Sequence, residues 1–191
     1  MRYLTVKDHF GIIAPFYDFF LGRRFPQIPA SLLKLPTEGL LLDAGGGTGR
    51  VAIHFRSLAK KVVVSDLSFP MLLQARFKGG LFPVQAHAER LPFNDNTFDR
   101  IVVVDALHHF CDQGQAIQDL IRVLTPGGRM VIEEPDITLF AVKIVAYLEN
   151  LFRMQSRFLS ASEICRIISQ NGLNPRIEKT KNFRTWVVVD K

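Results

Sequence analysis

Short apolar runs alternate along this chain with longer stretches in which apolar residues recur every three or four positions. The runs predict buried strands, and the periodic stretches predict helices. The predicted strands are residues 39–44, 62–66, 81–85, 101–104 and 130–132. Because these runs are apolar throughout, with no alternation of polar residues, we expect a parallel sheet that is covered on both faces by helices.

Helical patterns fill the intervals between the strands. The spacing predicts helices over residues 50–59 and 113–124, and a third that Ser68 can cap and that carries Met71, Leu72 and Ala75 on one face. Residues 126–128, Pro-Gly-Gly, predict a turn into the fifth strand.

The pattern changes after residue 135. Residues 144–158 predict a helix, and Ser160 and Glu163 match a capping box that opens another, which should end near Gly172. Two last strands, 176–179 and 186–189, are joined by a short polar link that indicates an antiparallel hairpin. The predicted fold class is α/β: one domain over 1–191, with a doubly wound, mostly parallel, seven-stranded Rossmann-like sheet.

Composition and charge narrow the classes of partner. The chain has 191 residues, of which 48% are hydrophobic, and this is typical of one folded domain. Its formal charge is +6, but the basic residues are scattered instead of forming a run. We therefore interpret them as a solvated surface and expect no nucleic-acid partner.

Cysteine usage and hydropathy bear on location. Cys111 and Cys165 have no paired spacing, which favours a reducing compartment over a disulfide framework. We find no secretory signal and no apolar stretch near the ~20 residues that a spanning helix needs. The expectation is a cytoplasmic protein without a transmembrane segment, with docking on a membrane surface left open and the oligomeric state undetermined.

The strongest local feature is the glycine-rich segment 43–49, Asp-Ala-Gly-Gly-Gly-Thr-Gly, set between a strand and a helix. Glycine allows a sharp turn and a close approach of the backbone to a ligand. Open α/β sheets bind ligands at this edge. A structural turn and the similar loop of NAD enzymes are alternative interpretations of the glycines alone.

Two acids sharpen this interpretation. Asp43 precedes the glycines, where a carboxylate would oppose a pyrophosphate but suits a cationic ligand such as a sulfonium amino acid. Asp66 ends the next strand, where an acid can bind ribose hydroxyls, although a helix-capping role shared with Ser68 is the alternative.

Four motifs in this order resemble the class I methyltransferases that use S-adenosylmethionine. They are Leu-Leu-Asp-Ala-Gly-Gly-Gly-Thr-Gly at 41–49, Asp-Leu-Ser-Phe-Pro-Met-Leu at 66–72, Ala-Glu-Arg-Leu-Pro-Phe at 88–93 with Phe-Asp at 98–99, and Leu-Thr-Pro-Gly-Gly at 124–128. The third resembles the branch that contains the ubiquinone and menaquinone C-methyltransferases. The resemblance covers nearly the whole chain and implies the class I methyltransferase fold, with S-adenosylmethionine as cofactor.

The resemblance also implies site residues. The backbone at Gly45 and Gly47 would contact the methionine part of the cofactor, and Asp66 would hold the ribose. Leu67 and Met71 would line the adenine pocket.

Three further positions follow from the same resemblance. Ala88 would offer its amide to the adenine with Glu89 alongside, and Asp105 would lie near the methionine amino group. The family usually has an acid directly before the Ala-Glu pair, where this chain has His87. A neutral imidazole can accept one hydrogen bond, so an adenine contact and an ordinary surface histidine are both open.

The N-terminal segment also resembles the family. Residues 14–20, Ala-Pro-Phe-Tyr-Asp-Phe-Phe, match a segment that covers the active site in such enzymes, so we expect a helical lid over 1–30. Tyr17 could face the sulfonium, since an aromatic face attracts a cation, or could pack in the core. A second helical cover over 137–160 is expected to shape the acceptor pocket, and its apolar content favours an apolar small molecule.

His108 and His109 are the candidate catalytic residues. They follow the fourth strand, near where an acceptor would lie, so either could be a general base; structural packing is the alternative for each. Adjacent helical positions do not face the same way, and no further ligands stand at metal spacing, so we expect no metal site.

The function predicted from the sequence is methyl transfer from S-adenosylmethionine to a small-molecule acceptor, apolar or aromatic in character. A methyltransferase-like protein that binds the cofactor without catalysis is one alternative, and an NAD-dependent oxidoreductase is another. Hydrolase and ATPase functions are disfavoured, because the sequence has no nucleophile-base signature and no phosphate-binding loop of the Gly-x-x-x-x-Gly-Lys type.

Overall fold

The computed structural model describes residues 28–135, 157–179 and 184–191, and all structural statements below concern these ranges. They form a seven-stranded sheet in the order β3-β2-β1-β4-β5-β7-β6. The strands are β1 Thr37–Ala44, β2 Ala59–Asp66, β3 Leu81–Gln85, β4 Phe98–Val104, β5 Leu124–Pro135, β6 Arg176–Lys179 and β7 Arg184–Asp190. The α-helices are α1 Phe69–Phe77, α2 Gln113–Val123 and α3 Ala161–Gln170.

The pairing confirms the predicted fold class. β1 pairs in parallel with β2 and β4, β2 with β3, and β4 with β5. β7 is antiparallel to both β5 and β6, as the predicted hairpin requires. This is the sheet of the class I methyltransferase fold.

The apolar strands are explained by two separate cores. Leu42 and Ile132 pack into one buried cluster, and Leu41 and Val131 pack into another. Neighbouring residues of a strand point to opposite faces, so a sheet with a core on each side needs apolar residues at every position. All four side chains are at most 1% exposed.

Two local predictions differ from the structure. The helix expected over 50–59 is only a 3-10 turn at Ala52–Phe55 without a side-chain cap, because β2 begins as early as Ala59 to pair with β1. The turn at 126–128 lies within β5, at the point where the register with β4 shifts between Phe98 and Arg100.

The predicted N-cap positions of α1 and α3 agree with the structure. Ser160 accepts a hydrogen bond from the Glu163 amide, and the Glu163 carboxylate accepts one from the Ser160 amide, which completes the capping box of α3. Ser68 occupies the N-cap position of α1, but through its carbonyl, which accepts from the Leu72 amide, and without a side-chain cap bond.

The strand order places the site. β1 is an interior strand of the sheet, with β2 on one side and β4 on the other. The connections that leave β1 and β4 therefore diverge at the carboxyl ends of these strands and open a crevice between them.

Candidate functional site

The glycine loop that follows β1 is held against β2 by its backbone. The amides of Gly45 and Gly46 both donate to the carbonyl of Ser65, at 2.8 and 3.2 Å. Gly45, Gly47 and Gly49 have positive φ angles of 70°, 53° and 70°. These are left-handed conformations that glycine adopts without the cost of a Cβ.

The same loop contacts the segment that follows β4. A Cβ on Gly45 would stand 2.6 Å from the Cβ of Ala106 and 3.1 Å from the ring of Phe110. Among the described residues, a Cβ on Gly47 would meet only an Asp66 oxygen within 4 Å, at 3.8 Å. Within the described ranges, the loop is therefore packed at Gly45 and has space at Gly47, where Asp66 stands.

Asp66 joins the loop to the tip of β2. Its Oδ2 accepts from the Gly47 amide and its Oδ1 from the Ser68 amide, each at 2.8 Å. Leu67 beside it is 38% exposed, whereas Met71 is buried in α1. The carboxylate is thus fixed at the open side of the loop with an accessible apolar side chain next to it.

Asp43 is buried next to Gly46 of the loop. A Cβ on Gly46 would be 2.6 Å from the Asp43 Cγ, and the Asp43 side chain is buried. Its Oδ2 has no hydrogen-bond partner among the residues that the structure describes. Burial raises the pKa of Asp43 to about 7, and the Arg50 guanidinium opposes part of this shift. Asp43 is therefore a buried acid packed close to the loop.

A charged cluster surrounds the tip of β4. Asp105 has a φ of 54°, uncommon for a residue other than glycine. One of its oxygens lies 3.7 Å from an Arg50 nitrogen and 3.9 Å from an Arg184 nitrogen. Arg184 also donates to Glu133 at 2.6 Å, and the Trp186 indole donates to the other Glu133 oxygen at 2.8 Å.

The pKa of Glu133 is subject to opposing effects within this cluster. It is fully buried at the end of β5, and burial raises the pKa of its carboxyl. The hydrogen bonds from Trp186 and Arg184 oppose that shift, because they favour the charged form. The cluster brings together Arg50 and Asp105, which directly follow the glycine loop and β4, with residues of β5 and β7.

The segment after β4 is anchored by a second acid of β5. Glu134 accepts from the amides of Ala106 and Leu107 with Oε1, at 3.2 and 2.8 Å. Its Oε2 lies 2.6 Å from Nδ1 of His108, whose side chain is 3% exposed. Burial and the neighbouring His108 lower the pKa of His109 to about 3, so the His109 ring is neutral at physiological pH.

The segment after β3 closes the site on the other side. The Ala86 amide donates to the Asp66 carbonyl at 3.0 Å, which brings the following residues beside β2. Glu89 accepts from the Asp112 amide at 3.1 Å, and the exposed His87 ring lies 3.8 Å from the second Glu89 oxygen. Ala88 between them is partly buried.

The structure therefore gathers most of the predicted residues at one edge of the sheet. Asp43, Gly45, Gly47 and Asp66 come from β1, its loop and β2, and Asp105, His108 and His109 follow β4. Tyr17 lies outside the described residues, as do most of the expected lid and most of the expected cover.

Four residues of the site were missed in the sequence. They are Arg50, Glu133, Glu134 and Arg184. The two glutamates stand at the carboxyl end of an apolar strand, as Asp43 and Asp66 do, so the same rule could have found them. Nothing local distinguishes Arg184, which reaches the site only through the pairing of β7 with β5.

The described residues contain neither a metal-binding cluster nor a membrane-spanning helix. No group of three or more His, Cys, Asp or Glu side chains there could hold a metal ion. Within the same ranges, no helix is both long and apolar enough to span a bilayer.

The sequence matches known methyltransferases over the region that builds this site. A family model described as a methyltransferase domain matches residues 42–132. Over 140 residues the chain is 40% identical to the ubiquinone/menaquinone biosynthesis C-methyltransferase UbiE of Escherichia coli O1:K1 / APEC. That alignment covers 68% of this chain and 56% of the relative, so the chain spans little more than half of the relative's length.

Solved structures share the fold over more of the chain. One belongs to the complex between the Haloferax volcanii Trm112 methyltransferase activator and a methyltransferase, with a TM-score of 0.82, 17% identity and coverage of 97% of this chain and 99% of that one. A S-adenosylmethionine-dependent methyltransferase of Thermotoga maritima gives a TM-score of 0.74 at 22% identity, covering 94% and 98%. At such identities the likeness establishes the fold.

Proposed function

Because the chain belongs to the class I S-adenosylmethionine-dependent methyltransferase family, we propose that it transfers the methyl group of S-adenosylmethionine to a small-molecule acceptor. The observation that carries this proposal is the bond between the Asp66 carboxylate and the Gly47 amide at the open side of the glycine loop. It fixes an acid beside a loop that leaves room for a ligand, in the crevice where open α/β sheets bind their ligands.

The residues at the site fit the cofactor. A carboxylate has about four lone-pair sites, so Asp66 can accept ribose hydroxyls in addition to the two backbone amides that it already holds. The accessible Leu67 offers an apolar contact for the adenine ring, with Met71 behind it. Ala88 and Glu89, on the segment that follows β3, would border the same ring.

The amino-acid end of the cofactor would lie toward β4. Asp105 would receive the ammonium group, and the backbone at Gly45 and Gly47 would border the methionine chain. Asp43 is buried next to Gly46 of the loop, and its role toward the cofactor stays a prediction. Tyr17 would close the site from the N-terminal segment, and this role stays a prediction.

The cofactor, when bound, supplies a methyl group that is already activated by attachment to a positively charged sulfur. The protein's task is then to hold an acceptor atom in line and to exclude water. A carbon or oxygen acceptor also needs a base, which His108 or His109 can provide. His109 is the weaker candidate, because its pKa is lowered to about 3.

The acceptor that we propose is small and apolar or aromatic. This follows from the similarity to a ubiquinone/menaquinone biosynthesis C-methyltransferase and from the scattered basic residues, which do not favour nucleic acid. A cytoplasmic location is part of the same proposal.

Calorimetry and a transfer assay test the proposal. We expect the protein to bind S-adenosylhomocysteine and not NAD⁺, and to move label from methyl-labelled S-adenosylmethionine to a member of a panel of phenols and quinols. Uptake of NAD⁺ alone would indicate the oxidoreductase. Binding of S-adenosylhomocysteine without transfer to any acceptor would indicate a binding protein and overturn the catalytic proposal.

A matched pair of variants localises the binding. Asp66→Asn should weaken S-adenosylhomocysteine about 10- to 100-fold, because hydrogen bonds to a charged group contribute roughly 1.5–3 kcal/mol. Glu38→Gln makes the same chemical change at an exposed position near the amino end of β1 and should leave the affinity unchanged. Equal affinities of the two variants would contradict the assignment of Asp66.

A further inference from the structure

The turn that joins α1 to β3 carries two exposed phenylalanines. Phe77, the last residue of α1, is 81% exposed, and Phe82, in β3, is 46% exposed. Gly79 and Gly80 between them are exposed and have positive φ angles of 69° and 71°. Within the described ranges, a Cβ on Gly79 would contact no atom within 4 Å. The turn therefore projects into solvent with an aromatic side chain on each side.

Four exposed cations surround this turn. Nζ of Lys61 lies 5.2 Å from the ring centroid of Phe82, within the range of a cation–π contact. A Cβ on Gly80 would be 3.6 Å from Cδ of Arg56. We call the following residues the basic tip: Phe77, Phe82, Arg56, Lys60, Lys61 and Arg76. The tip combines apolar rings with a concentration of positive charge.

Little negative charge compensates the basic tip. Residues 50–85 contain six lysines and arginines but one acid, Asp66, so this segment has a formal charge of +5 out of +6 for the chain. Asp66 is the last residue of β2, whereas Lys60 and Lys61 are near its first. Within the described part of the chain, no carboxylate pairs with any of the four tip cations, that of Glu38 in the neighbouring β1 included. An extended anionic surface would complement these cations.

The outer edge of β3 is not suited to pairing with a further strand. The Ala86 amide donates to the Asp66 carbonyl of β2 at 3.0 Å. Successive backbone amides point to alternate sides of a strand, so that Val84 also faces β2 and Pro83 faces outward. Proline has no N–H, which interrupts the edge in the middle of a five-residue strand. This disfavours strand addition by a partner protein or by a second copy of the chain.

We propose that the basic tip docks this protein on a bilayer that contains anionic lipids. Exposed aromatic rings on a projecting turn can enter the boundary between headgroups and acyl chains, and lysine and arginine side chains keep their charge at the level of the headgroups. The contact between Lys61 and Phe82 joins these two features in one pair. Anionic headgroups supply the negative charge that the tip lacks.

Docking through the tip leaves the crevice accessible. The tip is formed at the amino ends of β2 and β3, whereas Asp66 and the glycine loop stand at carboxyl ends of strands. Lys61 and Asp66 are five positions apart in β2, which is about 16 Å at about 3.3 Å per residue. The proposal is independent of the proposed function, because binding to vesicles is measured without cofactor or acceptor.

Co-sedimentation of the full chain with lipid vesicles tests the proposal. The protein should bind vesicles of phosphatidylcholine with about 30% phosphatidylglycerol and bind pure phosphatidylcholine at least about tenfold more weakly, since each cation near an anionic surface changes the affinity about fivefold. Lys60→Gln/Lys61→Gln should lower the affinity for the anionic vesicles about 25-fold. Arg166→Gln/Arg176→Gln removes the same charge at exposed positions of α3 and β6 and should leave the affinity within about twofold of wild type.

A second pair of variants tests insertion of the aromatic ring. Phe77→Ala should weaken binding to the anionic vesicles about tenfold, because the ring loses its apolar contact with lipid. Phe69→Ala makes the same change at the other end of α1, where Phe69 is 56% exposed, and should retain the wild-type affinity. Brominated lipids should quench the fluorescence of Phe77→Trp more than that of Phe69→Trp, since Trp186 contributes equally to both.

Several results would overturn the proposal. Equal binding to the two kinds of vesicle, or equal losses in the lysine and the arginine double variants, would mean that the basic tip is not the docking surface. Wild-type affinity of Phe77→Ala would mean that the ring does not insert. If the protein fails to bind either vesicle but binds a single-stranded oligonucleotide through Lys60 and Lys61, the tip is a nucleic-acid surface instead. Sedimentation of a dimer that Phe77→Ala dissociates would make it an interface between two copies.

Discussion

The two halves of the crevice are built in different ways. On the side of β1 and β2, the site is formed mainly by the backbone of the glycine loop. The Gly47 amide of this loop binds the carboxylate of Asp66, 19 positions further along the chain. On the side of β4 and β5, buried side chains meet across the sheet, as Glu134 and His108 or Arg184 and Glu133 do. The first half appears in the sequence as a contiguous motif, whereas the second exists only once distant strands have paired.

The largest effect on stability is expected from a substitution that overpacks the contact between the two halves of the crevice. Gly45→Ala adds a Cβ 2.6 Å from that of Ala106, at a φ of 70°. Backbone strain of about 1–2 kcal/mol and overpacking of about 1–3 kcal/mol should together lower the free energy of unfolding by about 3 kcal/mol. Urea titration followed by circular dichroism measures this loss.

Gly79→Ala is the matched control for that variant. Gly79 has nearly the same φ, 69°, but an added Cβ meets nothing within 4 Å in the part of the chain that the structure describes. It should therefore lose only the strain, about 1 kcal/mol. Equal losses in the two variants would show that the halves are not in tight contact at Gly45.

The second-largest effect concerns Asp43, a buried acid on the β1 and β2 side of the crevice. The folded pKa of Asp43 is raised to about 7 from its ordinary value of 3.8, so the folded protein holds a proton that the unfolded chain releases. The resulting stabilisation is full below pH 4 and is lost as the pH rises to about 7. Between pH 5 and pH 8 the loss should be about 2–3 kcal/mol.

Asp43→Asn isolates that contribution, since the amide does not titrate. The difference in unfolding free energy between wild type and variant should move by this amount between pH 5 and pH 8, in favour of the variant at the higher pH. A difference that does not change with pH would mean that Asp43 is ionised throughout this range.

The smallest effect tests the half that is built from side chains. Trp186→Phe removes the indole hydrogen bond to Glu133 but leaves the bond from Arg184. We expect a loss of about 1 kcal/mol in the free energy of unfolding and little change in S-adenosylhomocysteine affinity. Circular dichroism is the suitable probe, because the chain has one tryptophan.

Phe77→Leu serves as the reference for that measurement. Phe77 is 81% exposed on α1, so its substitution should change stability by less than about 0.5 kcal/mol. Were Trp186→Phe no more destabilising than Phe77→Leu, the bond to Glu133 would contribute nothing. A tenfold loss of cofactor affinity would instead indicate that Trp186 contributes to cofactor binding.

Several elements could be predicted closely because their signals are local. The bounds of β3 agree with the predicted run 81–85, and Ser160 and Glu163 form the expected capping box. The helix over 50–59 was wrong in extent, because the pairing of β2 from Ala59 overrides a periodic pattern that lacks a cap. Asp43 was identified in sequence, but nothing in the sequence reveals that it is buried against the loop.

The sequence by itself determined the alternation of strands and helices, the glycine turn and the acid at the tip of β2. Each of these depends on periodicity or backbone conformation within a few residues. Only the tertiary structure decided that Glu134 faces His108, that Arg184 reaches Glu133 and that Asp105 lies between two arginines. Those contacts depend on strand order and on the antiparallel pairing of β7 with β5, which bring together residues that no local pattern connects.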